Sequence, residues 1–188
     1  MENFRDPRYL SMGVTEALAK SPNTAFAKLI SQVGVSRTVD MAVRLGLRSY
    51  SEPGTARAYD PENNESLADF IKRQNLGTFT LGPFEVNPLE LANVAATMAS
   101  GGMRCQPNPI DKIYDRRGNE VMVNAEACEQ VVPDGLANTL SNALSKDTTI
   151  GTGAPAAGAA GWTLPMSGKT GTTEAHRSAG FFGYTNRY

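Results

Sequence analysis

Apolar residues recur at helical spacing through the first part of the chain, with turn-forming residues between them. The segment "MGVTEALAK", which follows Ser11, predicts a short first helix. Ser21 and Pro22 are residue types typical of an N-cap and a first helical position, so "NTAFAKLISQV" predicts a second helix that Gly34 ends. We therefore expect two short helices in close succession.

A third helix is predicted over "RTVDMAVRL". Ser36 is a residue type typical of an N-cap and Gly46 of a helix end, and one face of this helix carries Val39, Ala42 and Val43. Residues 50–77 are polar and rich in turn formers, which predicts a long surface excursion. The first part of the chain should thus be helical and end in an exposed loop.

The clearest helical pattern is "PLELANVAATMAS", which begins after Asn87. Asn87 and Pro88 are typical of a cap and a first position, and Glu90 stands at the spacing of a capping box. Gly101 and Gly102 end the pattern. Because nearly every uncharged residue within it is apolar or small, the segment predicts a buried helix.

Toward the C-terminus the pattern changes from one more helix to strands. The segment "PDGLANTLSNALSKD" predicts a helix whose inward face carries Leu136, Leu140, Ala143 and Leu144. The segment "GTGAPAAGAAGW" is rich in glycine and alanine and predicts a flexible approach to the last strands. Small, hydroxyl-bearing and aromatic residues predict those two strands around residues 162–172 and 178–186.

Charge and hydropathy exclude several classes of protein. The chain has 188 residues, a formal net charge of −1 and a charged fraction of 20%. It lacks the basic excess typical of nucleic-acid-binding proteins, so we expect no nucleic-acid partner. No apolar run is long enough to cross a bilayer, and "MENFRDPRYL" is not typical of a signal peptide. Any targeting segment is therefore expected in sequence outside this chain.

The two cysteines flank a predicted hairpin over residues 105–128. The strands "PIDKIYD" and "EVMVN" are joined by "RRGN", and Cys105 and Cys128 lie beyond the two ends. A ribbon brings such residues close together, so a disulfide is sterically feasible. Two ordinary buried thiols are an equally good interpretation of the spacing.

Two local motifs carry candidate chemistry. Lys169 begins "KTGTT" beside a predicted strand, where hydroxyls and exposed amides would form an anion-binding edge. The second motif is Ser21-x-Asn23, for which an N-cap serine is the plain structural interpretation. His176 lies in the turn between the last strands and is expected to be a solvated loop residue. With one histidine and two distant cysteines, neither a metal site nor a cofactor is expected.

Together and in this order, the two motifs resemble two of the three signature motifs of penicillin-binding proteins and serine β-lactamases. The segments "LGPFEVNPLELANVAATMASGG" and "SGKTGTTEAHRSAGFFGYT" are similar to class A (bifunctional) penicillin-binding proteins. The segment "RCQPNPIDKIYDRRGNEV" resembles the actinobacterial branch, which favours the disulfide. The resemblance implies an α/β (α+β) fold, with helices packed on an antiparallel sheet, and a single partial transpeptidase domain over residues 1–188, in which the sheet is incomplete.

The resemblance also implies roles for the "KTGTT" residues. Lys169 would direct positive charge toward a substrate carboxylate and take part in proton transfer around the serines. The hydroxyls of Thr170 and Thr172 would bind that carboxylate, with Thr173 beside them, and the Thr172 N–H would be half of an oxyanion hole. Gly171 would leave room for the acyl group.

Ser21 and Asn23 would act on the leaving group, if the resemblance holds. Ser21 would pass a proton to the leaving amine, and Asn23 would hold the substrate amide and a catalytic lysine. The family's first motif, S-x-x-K, supplies the nucleophilic serine and that lysine. None of the serines here has lysine three residues later. The nucleophile is therefore expected upstream.

The implied function is that of part of a peptidoglycan D,D-transpeptidase on the cell-envelope side of the plasma membrane. Its partners would be D-Ala-D-Ala stem peptides and β-lactams, and it would meet the membrane only through upstream segments. The chain alone is expected to be inactive. The alternative is a non-catalytic module that binds a ligand or a partner. With an incomplete sheet, the chain is also expected to self-associate through the open edge.

Overall fold

The computed structural model describes residues 12–122, 126–173 and 178–185. In these ranges the helices are α1 (Val14–Lys20), α2 (Asn23–Val33), α3 (Val35–Leu45), α4 (Leu67–Arg73), α5 (Pro88–Ala99), α6 (Asp134–Leu144) and α7 (Ala154–Ala159). The strands are β1 (Met103–Arg104), β2 (Ile113–Tyr114), β3 (Glu120–Val121), β4 (Glu129–Gln130), β5 (Ser167–Thr172) and β6 (Ala179–Tyr184). In the described ranges, no helix is long and apolar enough to span a membrane.

The first three helices form as expected, but two of their predicted caps are wrong. Ser21 does not begin α2; it ends α1 in the left-handed conformation, with φ 54°. This conformation lets the chain reverse within two residues, so that α2 starts at Asn23. Ser36 lies inside α3, because Gly34 already ends α2 and directly precedes α3.

Residues 50–77 are not simply a surface excursion. They include α4, which Ser66 caps by accepting a hydrogen bond from the Asp69 N–H at 3.1 Å. Leu67 and Ile71 are spaced one helical turn apart and are both buried. Only a few apolar residues mark this helix within a polar segment, and for that reason its burial was missed.

A first apolar cluster joins α2, α3 and α4. Its buried members are Ile30, Val35, Val39, Tyr50, Leu67, Ala68 and Ile71. Val39 and Ile71 are completely buried, and aromatic residues, including Phe70, Phe79 and Phe84, pack around them. These elements are close in sequence and form a helical core.

Helix α5 is capped by Asn87, whose side chain accepts from the Leu89 N–H at 2.9 Å. The predicted capping box is wrong, because the Glu90 carboxylate accepts from the N–H and hydroxyl of Ser49. The helix is also buried on one face only. Leu89 is 63% exposed, whereas Met98 is buried.

The segment between α5 and α6 is tied together covalently. Cys105 and Cys128 form a disulfide, and β1 pairs with β4 beside it. Strands β2 and β3 form the tip of the predicted hairpin, where Asp115 accepts from the N–H groups of Arg117 and Asn119. This arm therefore leaves and returns to the body of the protein at one point.

Two expectations for the C-terminal part are wrong. Leu136 was expected to face inward, but it is 59% exposed, and Ala137 takes the buried position on α6. The Gly/Ala-rich segment was expected to be flexible, but it contains helix α7. Alanine is the best helix former, which accounts for α7 despite the neighbouring glycines.

Strands β5 and β6 form an antiparallel ribbon in which Lys169 lies opposite Phe182 and Thr170 opposite Phe181. The ribbon packs against α5 and α6 through a second apolar cluster. Its buried members are Ala95, Met98, Val131, Val132, Ala137, Leu144 and Tyr184. In the described ranges each sheet has two strands, so the structure is a mixture of helices and small, open antiparallel sheets.

Candidate active site

The two motifs meet in the structure. The Lys169 ammonium donates a hydrogen bond to the Ser21 hydroxyl at 2.8 Å, although 148 residues separate them. Strand β5 presents the lysine, and the left-handed Ser21 lies at the junction of α1 and α2. The lysine also donates to its neighbour's carbonyl, the Thr170 oxygen, at 3.0 Å. The fold therefore brings a basic and a hydroxyl group together from its two ends.

The environment of Lys169 favours loss of its proton. Burial of the half-buried side chain lowers the pKa of its ammonium, and the negative charge of Asp147 partly opposes that shift. A lysine with a lowered pKa is better suited to accept or pass a proton than a solvated lysine. Ser21, which accepts from it, is the nearest group with which it can exchange a proton.

Asn23 begins α2, two residues after Ser21, and is exposed. It lies at one end of an open groove with a volume of about 560 Å³. The groove runs between α2 and the 3-10 turn Gly77–Leu81, and it is lined in part by Ala27, Ser31, Thr78 and Leu81. The asparagine amide is thus available to a bound molecule beside the serine.

The Thr170 hydroxyl is engaged by another group of the protein. Its hydroxyl contacts the hydroxyl of Thr152, which in turn donates to the Asp147 carboxylate at 2.9 Å. Asp147 is only 1% exposed. Neither Asp147 nor Thr152 was predicted as a site residue from the sequence. The glycines on each side of Thr152 were the available signal, but their segment was predicted to be flexible.

The rest of the "KTGTT" segment is exposed. Gly171 and Thr172 are both accessible, and a Cβ at Gly171 would meet no described atom within 4 Å. Packing therefore does not require glycine there, whereas at Gly168 a Cβ would collide with Phe181. Thr173 closes the end of the ribbon, where its hydroxyl accepts from the Ser178 N–H at 2.8 Å.

Two other expectations concern residues outside this site. His176 lies outside the described residues. Across the ranges that the structure covers, no group of three or more His, Cys, Asp or Glu side chains could hold a metal ion.

A comparison with protein-family models decides the family. The model described as the penicillin binding protein transpeptidase domain matches residues 2–186. This chain belongs to the penicillin-binding protein transpeptidase family. The recognition made from the "KTGTT" and Ser21-x-Asn23 motifs is confirmed.

Individual relatives are class A penicillin-binding proteins. Penicillin-binding protein 1A of Aquifex aeolicus is 27% identical over 98% of this chain, which covers 22% of that protein. Penicillin-binding protein 1A of Neisseria meningitidis is 28% identical over 95% of this chain, which covers 20% of it. The chain thus spans about a fifth of the length of these relatives.

Solved structures of transpeptidases share the fold. The penicillin-binding protein PonA1 of Mycobacterium tuberculosis superposes with a TM-score of 0.69 at 22% identity, covering 93% of this chain and 45% of that one. The same protein has been solved in complex with penicillin V. The transpeptidase domain from Eggerthella lenta gives a TM-score of 0.65 at 23% identity, over 95% and 46% of the two chains. The expected fold class is confirmed.

Proposed function

We propose that this chain supplies part of the active site of a peptidoglycan D,D-transpeptidase, in which a serine acyl-enzyme links one stem peptide to another. The observation that carries the proposal is the 2.8 Å hydrogen bond between Lys169 and Ser21. Two motifs from opposite ends of the chain form one polar contact beside an open strand. The family membership supports the same reaction.

Lys169 would act on charge and on protons. Its half-buried ammonium lies at the strand that would receive the substrate, and a cation there attracts the carboxylate of a D-Ala-D-Ala terminus. Because burial lowers its pKa, the lysine can also return a proton to Ser21 after that serine has given one away. The two roles belong to successive stages of one reaction cycle.

Ser21 and Asn23 would act on the leaving group. Ser21, held by Lys169, would donate its proton to the departing amine and then recover one from the lysine. Asn23 lies exposed at the end of the groove along α2, where its amide can bind the substrate amide.

The exposed part of β5 would bind the reacting carbonyl. The Thr172 hydroxyl is accessible to a carboxylate, and its N–H would be one donor of an oxyanion hole. Gly171 leaves space that no described side chain uses. The same edge would bind a β-lactam, whose carboxylate and carbonyl resemble those of the stem peptide.

The nucleophile would lie outside residues 1–188, because no serine in this sequence begins an S-x-x-K motif. In the complete protein it would attack the carbonyl, and an amine from a neighbouring stem would release the acyl group. We place this reaction on the cell-envelope side of the plasma membrane, where the substrate lies. A non-catalytic binding module is the alternative, and an upstream sequence without S-x-x-K would favour it.

Covalent labelling by a fluorescent penicillin tests the proposal. The longer protein, with its upstream S-x-x-K, should give a labelled band that survives boiling in detergent, and replacing that serine by alanine should abolish it. The chain by itself should give no such band. Labelling of the chain alone would reveal a nucleophile within it, and an unlabelled complete protein would contradict the transpeptidase assignment.

A further inference from the structure

Asp147 is a buried carboxylate directly behind the site that the proposed chemistry does not use. It follows the end of α6 and is 1% exposed. Its Oδ1 accepts from the Thr152 hydroxyl at 2.9 Å, while its Oδ2 is buried with no hydrogen-bond partner among the described residues. A buried carboxylate with one oxygen lacking a hydrogen bond destabilises the folded protein, which suggests that it serves a role in the site.

The backbone around Asp147 is fitted closely to it. A Cβ on Gly151 would lie 2.6 Å from the Asp147 Cα, and a Cβ on Gly153 would lie 2.6 Å from its Oδ2. Between these glycines, the Thr152 N–H donates to the Ala19 carbonyl at 3.0 Å. The Gly-Thr-Gly turn therefore encloses the carboxylate and fastens it to the end of α1, two residues before Ser21.

A chain of polar contacts leads from Asp147 to the strand that carries Lys169. The Thr152 hydroxyl contacts both the Asp147 carboxylate and the Thr170 hydroxyl. Thr170 is the neighbour of Lys169, and its carbonyl accepts from the lysine ammonium at 3.0 Å. Asp147 is thus linked to the Thr170 side chain through Thr152, and the backbone carbonyl of the same Thr170 binds the lysine.

We propose that Asp147 is a positioning residue of this site, which orients Thr170 through Thr152 and balances the charge of Lys169 from behind strand β5. The proposal rests on the transpeptidase function for its effect on acylation. Its effect on the lysine itself does not depend on that function. A carboxylate shielded from water acts on a nearby cation more strongly than a solvated one, which gives the burial a purpose.

The charges around Lys169 make this effect measurable. Strand β6 places Phe182 opposite the lysine, and the end of α1 places Ser21 against it, neither of which is charged. Among the described residues, Asp147 is the charged group that shifts the pKa of Lys169, and it raises that pKa against the larger effect of burial. Without this negative charge, the Lys169 pKa should fall further.

A titration of the chain itself tests the electrostatic part. Lysines labelled with carbon-13 would be followed by NMR against pH, with the Lys169 signal assigned by its loss in Lys169→Arg. Asp147→Asn should lower the Lys169 pKa, whereas Asp111→Asn, on the exposed hairpin arm, should leave it unchanged. An unchanged Lys169 pKa in folded Asp147→Asn would overturn the charge-balancing role.

Acylation of the complete protein by penicillin tests the effect on the site. Asp147→Asn should shift the alkaline limb of the pH–rate profile to lower pH. At pH values above that limb, acylation should be about tenfold slower for each unit by which the Lys169 pKa falls. Thr152→Val should slow acylation without moving the limb, and Thr152→Ser should restore it. If Thr152→Val is acylated as fast as the wild type, the positioning role is wrong. This variant decides the question even if Asp147→Asn fails to fold.

The two readouts separate this inference from the proposed function. If the wild-type complete protein is not acylated at all, the transpeptidase function fails, while the NMR titration still decides whether Asp147 acts on Lys169. If the wild type is acylated and the Asp147→Asn profile superimposes on it, the transpeptidase function stands and the role of Asp147 is wrong.

Discussion

The two apolar clusters differ in how completely they close. The first apolar cluster draws on residues within 30–84, and its members Val39 and Ile71 are fully buried. The second apolar cluster lies against the β5–β6 ribbon, where Phe181 is 48% exposed. Each cluster borders an open groove, with a volume of about 560 Å³ along α2 for the first and about 670 Å³ between α5 and β6 for the second. The two differ in packing, because the sequence-local helices bury large side chains completely, whereas the ribbon that carries Lys169 leaves Phe181 half exposed.

This difference matters for the site, because Ser21 lies in the helical part of the protein and Lys169 lies on the ribbon. Ser21 is fixed at the junction of two helices, next to the buried Pro22. Lys169 is on a ribbon of only two described strands, and such a ribbon is marginal in water unless it packs against other elements. The packing of Tyr184 against α5 and α6 supplies that support.

The largest expected effect on stability is in the first apolar cluster. Ile71→Ala removes a fully buried side chain and should lower the free energy of unfolding by roughly 2–5 kcal/mol. Urea unfolding followed by circular dichroism would measure it. Leu136→Ala is the matched control, because Leu136 is 59% exposed and its loss should cost at most about 0.5 kcal/mol. Equal costs for the two changes would contradict the described burial.

The disulfide should stabilise the region around the second apolar cluster. Cys105 and Cys128 are 23 residues apart, and opening that loop should cost about 3 kcal/mol in the chain-entropy model. The Cys105→Ser, Cys128→Ser double variant would be compared with the wild type in urea. Intact mass after alkylation without reductant is the control, and two alkylated thiols in the wild type would rule out the bond.

The uncovered ribbon should make the chain self-associate. Light scattering should show concentration-dependent association, because an unpaired strand edge with an apolar face templates pairing. Phe181→Glu should reduce that association, while Leu136→Glu, on the exposed face of α6, should change it less. Hydrogen exchange should be faster in β6 than in α5. A strictly monomeric chain with equal protection in both would mean that the ribbon edge is covered.

The smallest predicted effect concerns how the ribbon is anchored. The Tyr184 hydroxyl lies 2.8 Å from the Ser141 hydroxyl on α6. Tyr184→Phe keeps the buried ring and removes this bond, so it should cost about 1 kcal/mol. Thermal unfolding would measure the loss. Tyr114→Phe, on the exposed hairpin tip, is the control and should leave the midpoint unchanged.

The sequence was most informative where a residue type is demanded by local geometry. Gly34 and Gly46 end helices, and Asn87 caps α5, because a positive φ or an uncapped N–H admits few residue types. Tertiary choices were harder to predict. Glu90 forms a hydrogen bond with Ser49 on another element. On α6 the smaller Ala137 is buried instead of Leu136, because the buried face depends on how α6 packs against its neighbours.

The site was partly predictable for the same reason. Lys169 and Ser21 could be recognised, because each belongs to a motif that is only a few contiguous residues long. Asp147 and Thr152 could not, since their role depends on a turn between α6 and α7 that encloses the carboxylate. A segment of glycine and alanine has the composition of a flexible linker and also that of a tightly packed turn. Only the three-dimensional contacts distinguish the two.

The active-site assignment of Lys169 is tested most sharply by the acylation rate of the complete protein, with its upstream S-x-x-K, when Lys169 is changed. Lys169→Ala should reduce the second-order rate with a fluorescent penicillin severely, and Lys169→Arg should reduce it less, because arginine keeps the charge but not the proton chemistry. Lys112→Ala, on the exposed hairpin arm, should match the wild type. Equal rates for wild type and Lys169→Ala would contradict the claim that the Lys169–Ser21 pair is part of the active site.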